Sequence, residues 1–237
     1  VYDLGNIPGL PARVAGASPG RHVIAETLWN DNLYKRNVLG ARTYLEVGFL
    51  NDFKFTVNVA TDISSYNGAT YTNKIVGDGA PAGRGTRTNS LTTSYTVNEL
   101  LNYNKAFGKH SVEALFGHEN YNYEYNYLYG FRQGVIADGN SELINFTTTN
   151  SLTSYTDTYA TEGYFSRLNY NYDNKYHFSA SVRRDGSSRF AQDNRWGTFW
   201  SVSGAWRLDQ ESFIRNISFI DNLKLRSSYG IVGNDNV

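Results

Sequence analysis

Between Tyr164 and Leu208 the chain alternates apolar and polar side chains in three consecutive runs, and this pattern limits its fold more than any other feature. In the first run Tyr164, Leu168, Tyr170 and Tyr172 occupy even positions, while Arg167, Asn169 and Asn171 occupy odd ones. After Asp-Asn-Lys at 173–175, Tyr176, Phe178, Ala180 and Val182 alternate with His177, Ser179, Ser181 and Arg183. The third run sets Trp196, Trp200, Val202, Trp206 and Leu208 against Ser201, Ser203 and Arg207. A repeat of two places successive side chains on opposite faces of a strand, so each run predicts a strand with one apolar and one polar face. Strands of soluble sheets average about 5–6 residues, whereas a tilted strand needs about 9–11 to cross a bilayer. These runs are long enough to cross. The fold they predict is all-β, an antiparallel transmembrane β-barrel.

The rest of the chain repeats the pattern. Strands are expected near 40–49, 53–66, 91–107, 111–129, 159–172, 175–185, 196–208 and 223–232, about eight in all. Residues 1–39, with Pro8, Pro11 and Pro19, read as an extracellular loop, and 40–237 as part of a barrel. Short connections at 50–52, 108–110 and 173–175 alternate with long ones at 1–39, 67–90 and 130–158. Membrane barrels have short periplasmic turns and long external loops, and strict alternation follows if every strand crosses. The loop 184–195 is then external and 209–222 periplasmic. In the fourth strand the apolar phase slips from Val112, Ala114 and Phe116 to Tyr121, Tyr123, Tyr125 and Tyr127. Either a β-bulge inserts a residue, or the strand has left the bilayer and its faces need no longer differ.

Aromatic residues crowd the ends beside the short turns: Phe53, Tyr103, Phe107, Tyr170, Tyr172, Tyr176 and, before the 209–222 connection, Trp206. All lie on the apolar face, as an interfacial aromatic belt requires. Aromatics packing a sandwich core would not need to gather at one end of each strand. Composition agrees. Tyr 19, Phe 13 and Trp 4 coexist with a negative mean hydropathy, because a polar lumen and polar loops offset an apolar outer band. Lys+Arg and Asp+Glu are 22 each, which gives no net charge to steer nucleic acid. No cysteine is present, excluding disulfides and thiolate metal sites. No apolar run reaches the about 18 residues of a membrane helix. The chain opens on Val1-Tyr2-Asp3 and lacks Met, as an internal piece of a longer protein does.

Sites of chemistry are sparse. His22, His110, His118 and His177 lack metal-ligand spacing. Asp185, Asp193 and Asn194 have the oxygen chemistry of a loop Ca²⁺ site, but pairing with Arg184, Arg189 and Arg195 is the favoured reading. In that reading Arg184, Asp185, Gly186, Ser187, Ser188, Arg189, Phe190, Asp193 and Arg195 shape the hairpin tip. No nucleophile, paired-carboxylate or phosphate-loop motif appears, so no enzyme and no cofactor is expected. Arg167, Asn169, Asn171, Arg183 and Arg207 form the polar face, where they would contact a solute or line the lumen. Tyr121, Tyr123 and Tyr125 offer rings on which sugars stack. A passive barrel or a soluble β-rich glycan-binding sandwich is the competing class.

These residues also carry a resemblance. GYFSRLNYNYDNKYHFSASVRRDGSSRFAQDNRWGTFWSVSGAWRL (163–208), DNLKLRSSYGIVGN (221–234), WNDNLYKRNVLGA (29–41) and LNDFKF (50–55) closely resemble the barrel of SusC/RagA-type TonB-linked outer-membrane transporters. The resemblance implies a larger barrel of about 22 strands around a plug, in the bacterial outer membrane. It further implies uptake of oligosaccharides or peptides, a SusD-like surface lipoprotein as lid, and TonB acting through an N-terminal plug region that this chain does not contain.

Overall fold

The computed structural model describes residues 21–215, 217 and 219–233. A short helix, α1 (Val23–Trp29), precedes eight strands: β1 (Asp31–Phe49), β2 (Phe53–Thr72), β3 (Arg84–Phe107), β4 (His110–Val135), β5 (Phe146–Tyr172), β6 (Tyr176–Ser187), β7 (Trp196–Arg207) and β8 (Lys224–Ile231). They form one sheet in sequence order, with β1 and β8 at its edges. A sandwich needs two sheets, so the sandwich form of the competing class does not match this topology. β1 and β8 are not neighbours, so the sheet has two open edges and does not close on itself. Among the described residues no helix is long and apolar enough to cross a membrane.

β1 to β5 exceed the expected bounds, β6 is shifted by one or two residues, and β7 and β8 lie within theirs. Residues 31–39 are strand, not loop, and the supposed loops 67–90 and 130–158 are largely the far ends of β2, β3, β4 and β5. Only 73–83 and 136–145 connect them. These ends are rich in Thr, Ser, Asn and Gly on both faces, so the polar–apolar contrast that reveals a strand is missing there. Residues 1–20 of the expected external loop lie outside the described residues. His110, assigned to a turn, opens β4.

Two compact units divide the chain. The first combines Val1–Leu39, Asp62–Thr93 and Glu124–Asp157. In it His22 caps α1, its Nδ1 accepting from Ala25 N at 3.2 Å, while Glu26 Oε1 accepts from His22 N at 3.1 Å. This is the reciprocal logic of a capping box with imidazole in place of a hydroxyl. Ala25 and Val76 are fully buried, with Trp29 against them. Phe146, 1 % exposed, packs on Tyr71 and lies where a side chain at Gly85 would stand.

The second unit combines Gly40–Thr61, Ser94–Tyr123 and Thr158–Val237. Its register runs in rungs across four strands. Asn171, His177, Ala205 and Arg226 form one, and Asn169, Ser179, Ser203 and Ser228 the next. Both are polar-face rungs. The apolar face carries Tyr172, Tyr176, Trp206 and Leu225, then Tyr170, Phe178, Gly204 and Ser227. On β6 the apolar Tyr176, Phe178 and Val182 are exposed, while His177, Ser179 and Ser181 are half-buried. This reverses the rule of water-soluble proteins, in which apolar side chains are the covered ones. Fully buried large side chains among the described residues are just Phe146 and Val76. Backbone ladders between neighbouring strands, more than a buried core, hold such a sheet together.

The turn Tyr172–Lys175 is closed by Lys175 N donating to Tyr172 O at 3.0 Å, with Asp173 and Asn174 both at positive φ. Two left-handed central residues define the tight turn whose twist matches antiparallel strands, and Asp and Asn tolerate it.

The slip in β4 is not a bulge. Gly117 meets Phe165, Glu119 meets Arg183 and Tyr121 meets Tyr159, all odd positions on one face. His118, between them, faces Glu99, Glu162 and Tyr164 on the other side. Parity is kept, so no residue is inserted. The aromatic residues change face instead.

Candidate functional site

On the polar face of the second unit, Arg183 organises the densest charge network. Its Nε donates to Asp185 Oδ1 and Oδ2 at 2.6 and 2.8 Å, and Nη2 donates to Glu119 Oε1 at 3.1 Å. The guanidinium lies 5.1 Å from the Phe165 ring centroid, a cation–π contact. Phe165 reaches this place because Gly117 has no side chain; a Cβ there would stand 2.2 Å from the ring. Asn169 donates to Glu113 at 3.3 Å and accepts from Ser179 at 2.7 Å. Asn171 donates to Asn174 at 2.8 Å, and Arg207 to Asp209 at 2.8 Å. Arg167 makes no hydrogen bond or ion pair among the described residues. Asn169, Asn171, His177, Ser179, Ser203 and Arg226 line a polar concavity of about 790 Å³. Of the expected polar-face residues the structure gathers Asn169 and Asn171 there, while Arg183 and Arg207 enter separate ion pairs.

The hairpin tip departs from expectation. Asp185 pairs with Arg183, not Arg184, because a strand turns adjacent residues to opposite faces and residues two apart to the same one. Arg184 instead lies over Trp196, at 5.5 Å from its centroid, and Arg189 over Tyr159 at 4.3 Å. The tip is locked by hydroxyls. Ala160 N donates to Ser188 Oγ and Ser188 N to Ala160 O, both at 2.9 Å; Ser187 is buried, and its N donates to Arg195 O at 3.1 Å. Phe190 N donates to Ser187 O at 3.4 Å, and Trp196 covers Gly186. Asp193 sits in a single 3₁₀ turn, Gln192–Asn194. Among the described residues no three His, Cys, Asp or Glu side chains group as metal ligands would.

The tyrosines split. In the first unit Tyr125 lies 6.2 Å from Tyr127 and 6.0 Å from Tyr155, with Tyr127 and Tyr155 at 5.2 Å. In the second, Tyr121 meets Tyr159 edge-on at 6.1 Å. Tyr123 joins neither. Tyr155 and Tyr159 were not expected as partners. Tyr155 sits in the polar part of β5 that reads as loop, and Tyr159 at the start of the periodic run carries no signal of its cross-strand neighbour.

At the short-turn end, rings touch from strand to strand. Phe49 stacks on Phe53 at 5.5 Å, and Phe53 meets Tyr103 in a tilted contact at 4.8 Å. Phe107, His110, Tyr172, Tyr176 and Trp206 follow in series, at 5.1, 4.9, 6.3 and 6.1 Å. Tyr170 is tied in by its hydroxyl, 2.7 Å from His110 Nδ1. His110 is the member that sequence reasoning missed, since a histidine beside Gly-Lys reads as turn. Ion pairs link each turn to the next element: Asp52 with Lys105 at 2.7 Å, Lys109 with Asp173 at 2.8 Å, and Lys175 with Glu211 at 3.5 Å. Glu211 also accepts from Tyr176 Oη at 2.6 Å and Trp206 Nε1 at 3.0 Å, which together with Lys175 hold its carboxyl below the usual range.

Asp209 is the most covered carboxylate of this rim. Hydrogen bonds from Arg207 and Gln210 lower its pKa from 3.8 to about 2. A depressed carboxylate contributes stability above its unfolded value and loses it as pH falls through its folded value, here from about 4 down to about 2. An Asp209→Asn variant of the full-length protein is therefore expected to unfold at lower guanidinium than wild type at pH 7, and at the same concentration near pH 2. A difference that persists unchanged to pH 2 would refute a role for the charge.

Comparisons place this geometry. The curated TonB-dependent receptor SusC of Bacteroides thetaiotaomicron is 34 % identical over 142 residues, covering 60 % of this chain and 14 % of its own. TonB-dependent receptor P39 of Formosa agariphila is 39 % identical over 146 residues, covering 58 % and 14 %. A solved structure of the RagAB peptide transporter superposes with a TM-score of 0.80 at 25 % identity, over 89 % of this chain and 24 % of that one. The chain thus spans 14 % of the length of those two curated relatives and about a quarter of that solved chain. The relatives are TonB-dependent receptors and transporters, not enzymes. The family described as TonB dependent receptor-like, beta-barrel matches residues 2–232, and with its strands in one antiparallel sheet and the apolar side chains of β6 on the exposed face, this chain belongs to that family as a segment of its barrel wall.

Proposed function

We propose that the parent protein imports oligosaccharides or peptides across the bacterial outer membrane. A SusD-like lipoprotein covers it from outside, and TonB drives release through a plug held inside the barrel. This segment supplies about eight wall strands. The ring series from Phe53 to Trp206 meets the inner membrane interface, and Arg167, Asn169, Asn171, Arg183 and Arg207 face the lumen. The observation that carries the reading is the reversed exposure of β6, apolar side chains outward and polar ones covered, in a chain of the TonB-dependent receptor family. The RagAB relative is by its title a peptide transporter, which supports the peptide arm. The tyrosine cluster supports the sugar arm, because ring faces pack the C–H faces of sugars without charge. On this reading the parts that move are elsewhere in the protein, and the wall is the rigid frame against which they move.

The test is uptake of fluorescent oligosaccharides and of labelled peptides by cells with the parent gene deleted, restored, or restored without TonB. Uptake of neither cargo after restoration, or uptake undiminished without TonB, sinks the reading. Within it, the triple substitution Tyr125→Ala, Tyr127→Ala and Tyr155→Ala is expected to lower oligosaccharide uptake about ten-fold, equivalent to about 1.4 kcal/mol of lost binding. Peptide uptake would fall far less. Equal loss for both cargoes would assign the cluster to folding.

A further inference from the structure

The apolar face of the second unit carries one polar group of side chains that its surroundings do not explain. Glu99 on β3, His118 on β4 and Glu162 on β5 meet there. His118 Nδ1 lies 2.8 Å from Glu99 Oε2 and Nε2 lies 3.3 Å from Glu162 Oε1, while Tyr164 Oη donates to Glu162 Oε1 at 2.6 Å. The His118 ring stacks on Tyr164 at 4.7 Å, and Tyr164 on Trp196 at 6.2 Å. Both carboxylates are thus engaged. Arg184 is not: beside the Trp196 ring it has no carboxylate partner among the described residues. Below this group runs a groove of about 510 Å³, walled by Phe55, Leu101, Phe116 and Val182.

Height identifies the occupant. Tyr164 and Arg184 lie opposite each other, eight residues along their strands from the Tyr172–Tyr176 rung. At about 3.4 Å per residue and a tilt of about 40°, that is about 20 Å. Trp196, opposite Gly186 and Glu162, stands two residues higher, at about 26 Å by the same conversion. The apolar band of a membrane barrel is about 25 Å tall, so the groove lies at acyl-chain depth, Arg184 is rooted about 5 Å below the upper edge of the band, within reach of the head groups for a long side chain that snorkels, and Trp196 stands at that edge. A cation there, next to two carboxylates already satisfied by His118 and Tyr164, selects an anion. Trp196, rooted two residues higher, takes the guanidinium against its ring, 5.5 Å from the centroid, and so orients it upward.

We propose that this is a site for a phosphorylated membrane lipid, with one acyl chain in the Phe55–Leu101–Phe116–Val182 groove and the phosphate on Arg184. Glu99, His118, Glu162 and Tyr164 form the polar wall against which the head group's hydroxyls rest. The inference depends on the reading that this face meets lipid, but adds a bound lipid that the reading does not require.

The test uses the full-length parent protein, extracted from outer membranes in mild detergent and weighed intact by mass spectrometry. Wild type is expected to retain a phosphorylated lipid. Arg184→Gln and Phe116→Trp, the second filling the groove, are each expected to lower retention at least five-fold, with heat-shifted mobility on gels confirming that both fold. Delipidated wild type should gain thermal stability from phosphatidylglycerol micelles and none from inorganic phosphate at the same concentration. Equal retention in all three proteins overturns the site. Loss in Phe116→Trp alone shows an acyl chain without a head-group contact and overturns it too, as does a cross-link to another protein from a photoreactive residue at Ser166. Membrane fractionation separates the two ideas: a protein found in the outer membrane without bound lipid refutes this site and leaves the transporter reading intact.

Discussion

Phe146→Ala is expected to destabilise the first unit by about 3–5 kcal/mol, the range for emptying a buried aromatic position. Phe146 opens β5, is 1 % exposed, and fills the space over Gly85 beside Tyr71, at 6.3 Å between ring centroids. Beside it Asn145 ties the 136–145 connection together. Its Oδ1 accepts from Ala137 N at 2.9 Å, and Nδ2 donates to Ala137 O and Asn140 O at 2.7 Å each. Few other side chains in this unit are fully buried, so the loss is not shared out. The measurement is hydrogen exchange on the full-length protein. Amides near 71–85 and 136–147 should lose protection by two orders of magnitude or more, while those of 164–208 keep theirs. Protection unchanged in the first set would show that Phe146 is dispensable there.

Arg183→Ala is expected to cost about 2 kcal/mol, less than a fully buried pair would, because all three partners remain about one-third exposed or more. The substitution leaves Asp185 and Glu119 facing each other with no cation, and removes the cover over Phe165. Arg183→Lys should recover only part of the loss. An ammonium restores charge but cannot reach Asp185 and Glu119 with a planar fork while stacking on the Phe165 ring. Guanidinium midpoints of wild type and both variants, repeated with Glu119→Gln, give the coupling. If Arg183→Ala costs as much in the Glu119→Gln background as in wild type, the pair is not coupled and the network argument fails.

Legibility in the sequence follows from the contrast in polarity between the two faces of the sheet. Between Tyr164 and Leu208 the two faces differ in polarity, so each second residue is constrained and register, faces and turns can be read directly. Asn171 opposite His177 and Tyr172 opposite Tyr176 follow from the Asp-Asn turn. Beyond that region polar residues occupy both faces. Thr147 to Thr158 in β5 therefore looks like loop although it is strand. The same loss of contrast makes the shift from Phe116 to Tyr121 look like a bulge. Adjacent Arg184 and Asp185 suggest a pair by proximity in sequence, yet the pleat separates them and gives Asp185 to Arg183.

The sequence by itself determined the class of fold, the two faces of the long strands, the short turns and the family, because these depend on local periodicity and motif order. Only the tertiary structure decided which distant residues meet. Glu99, His118 and Glu162 come from three strands, as do Glu119, Phe165 and Arg183, and no spacing announces them. Cross-strand neighbours are set by register between segments dozens of residues apart. A repeat of two says which face a side chain takes, but not what stands beside it.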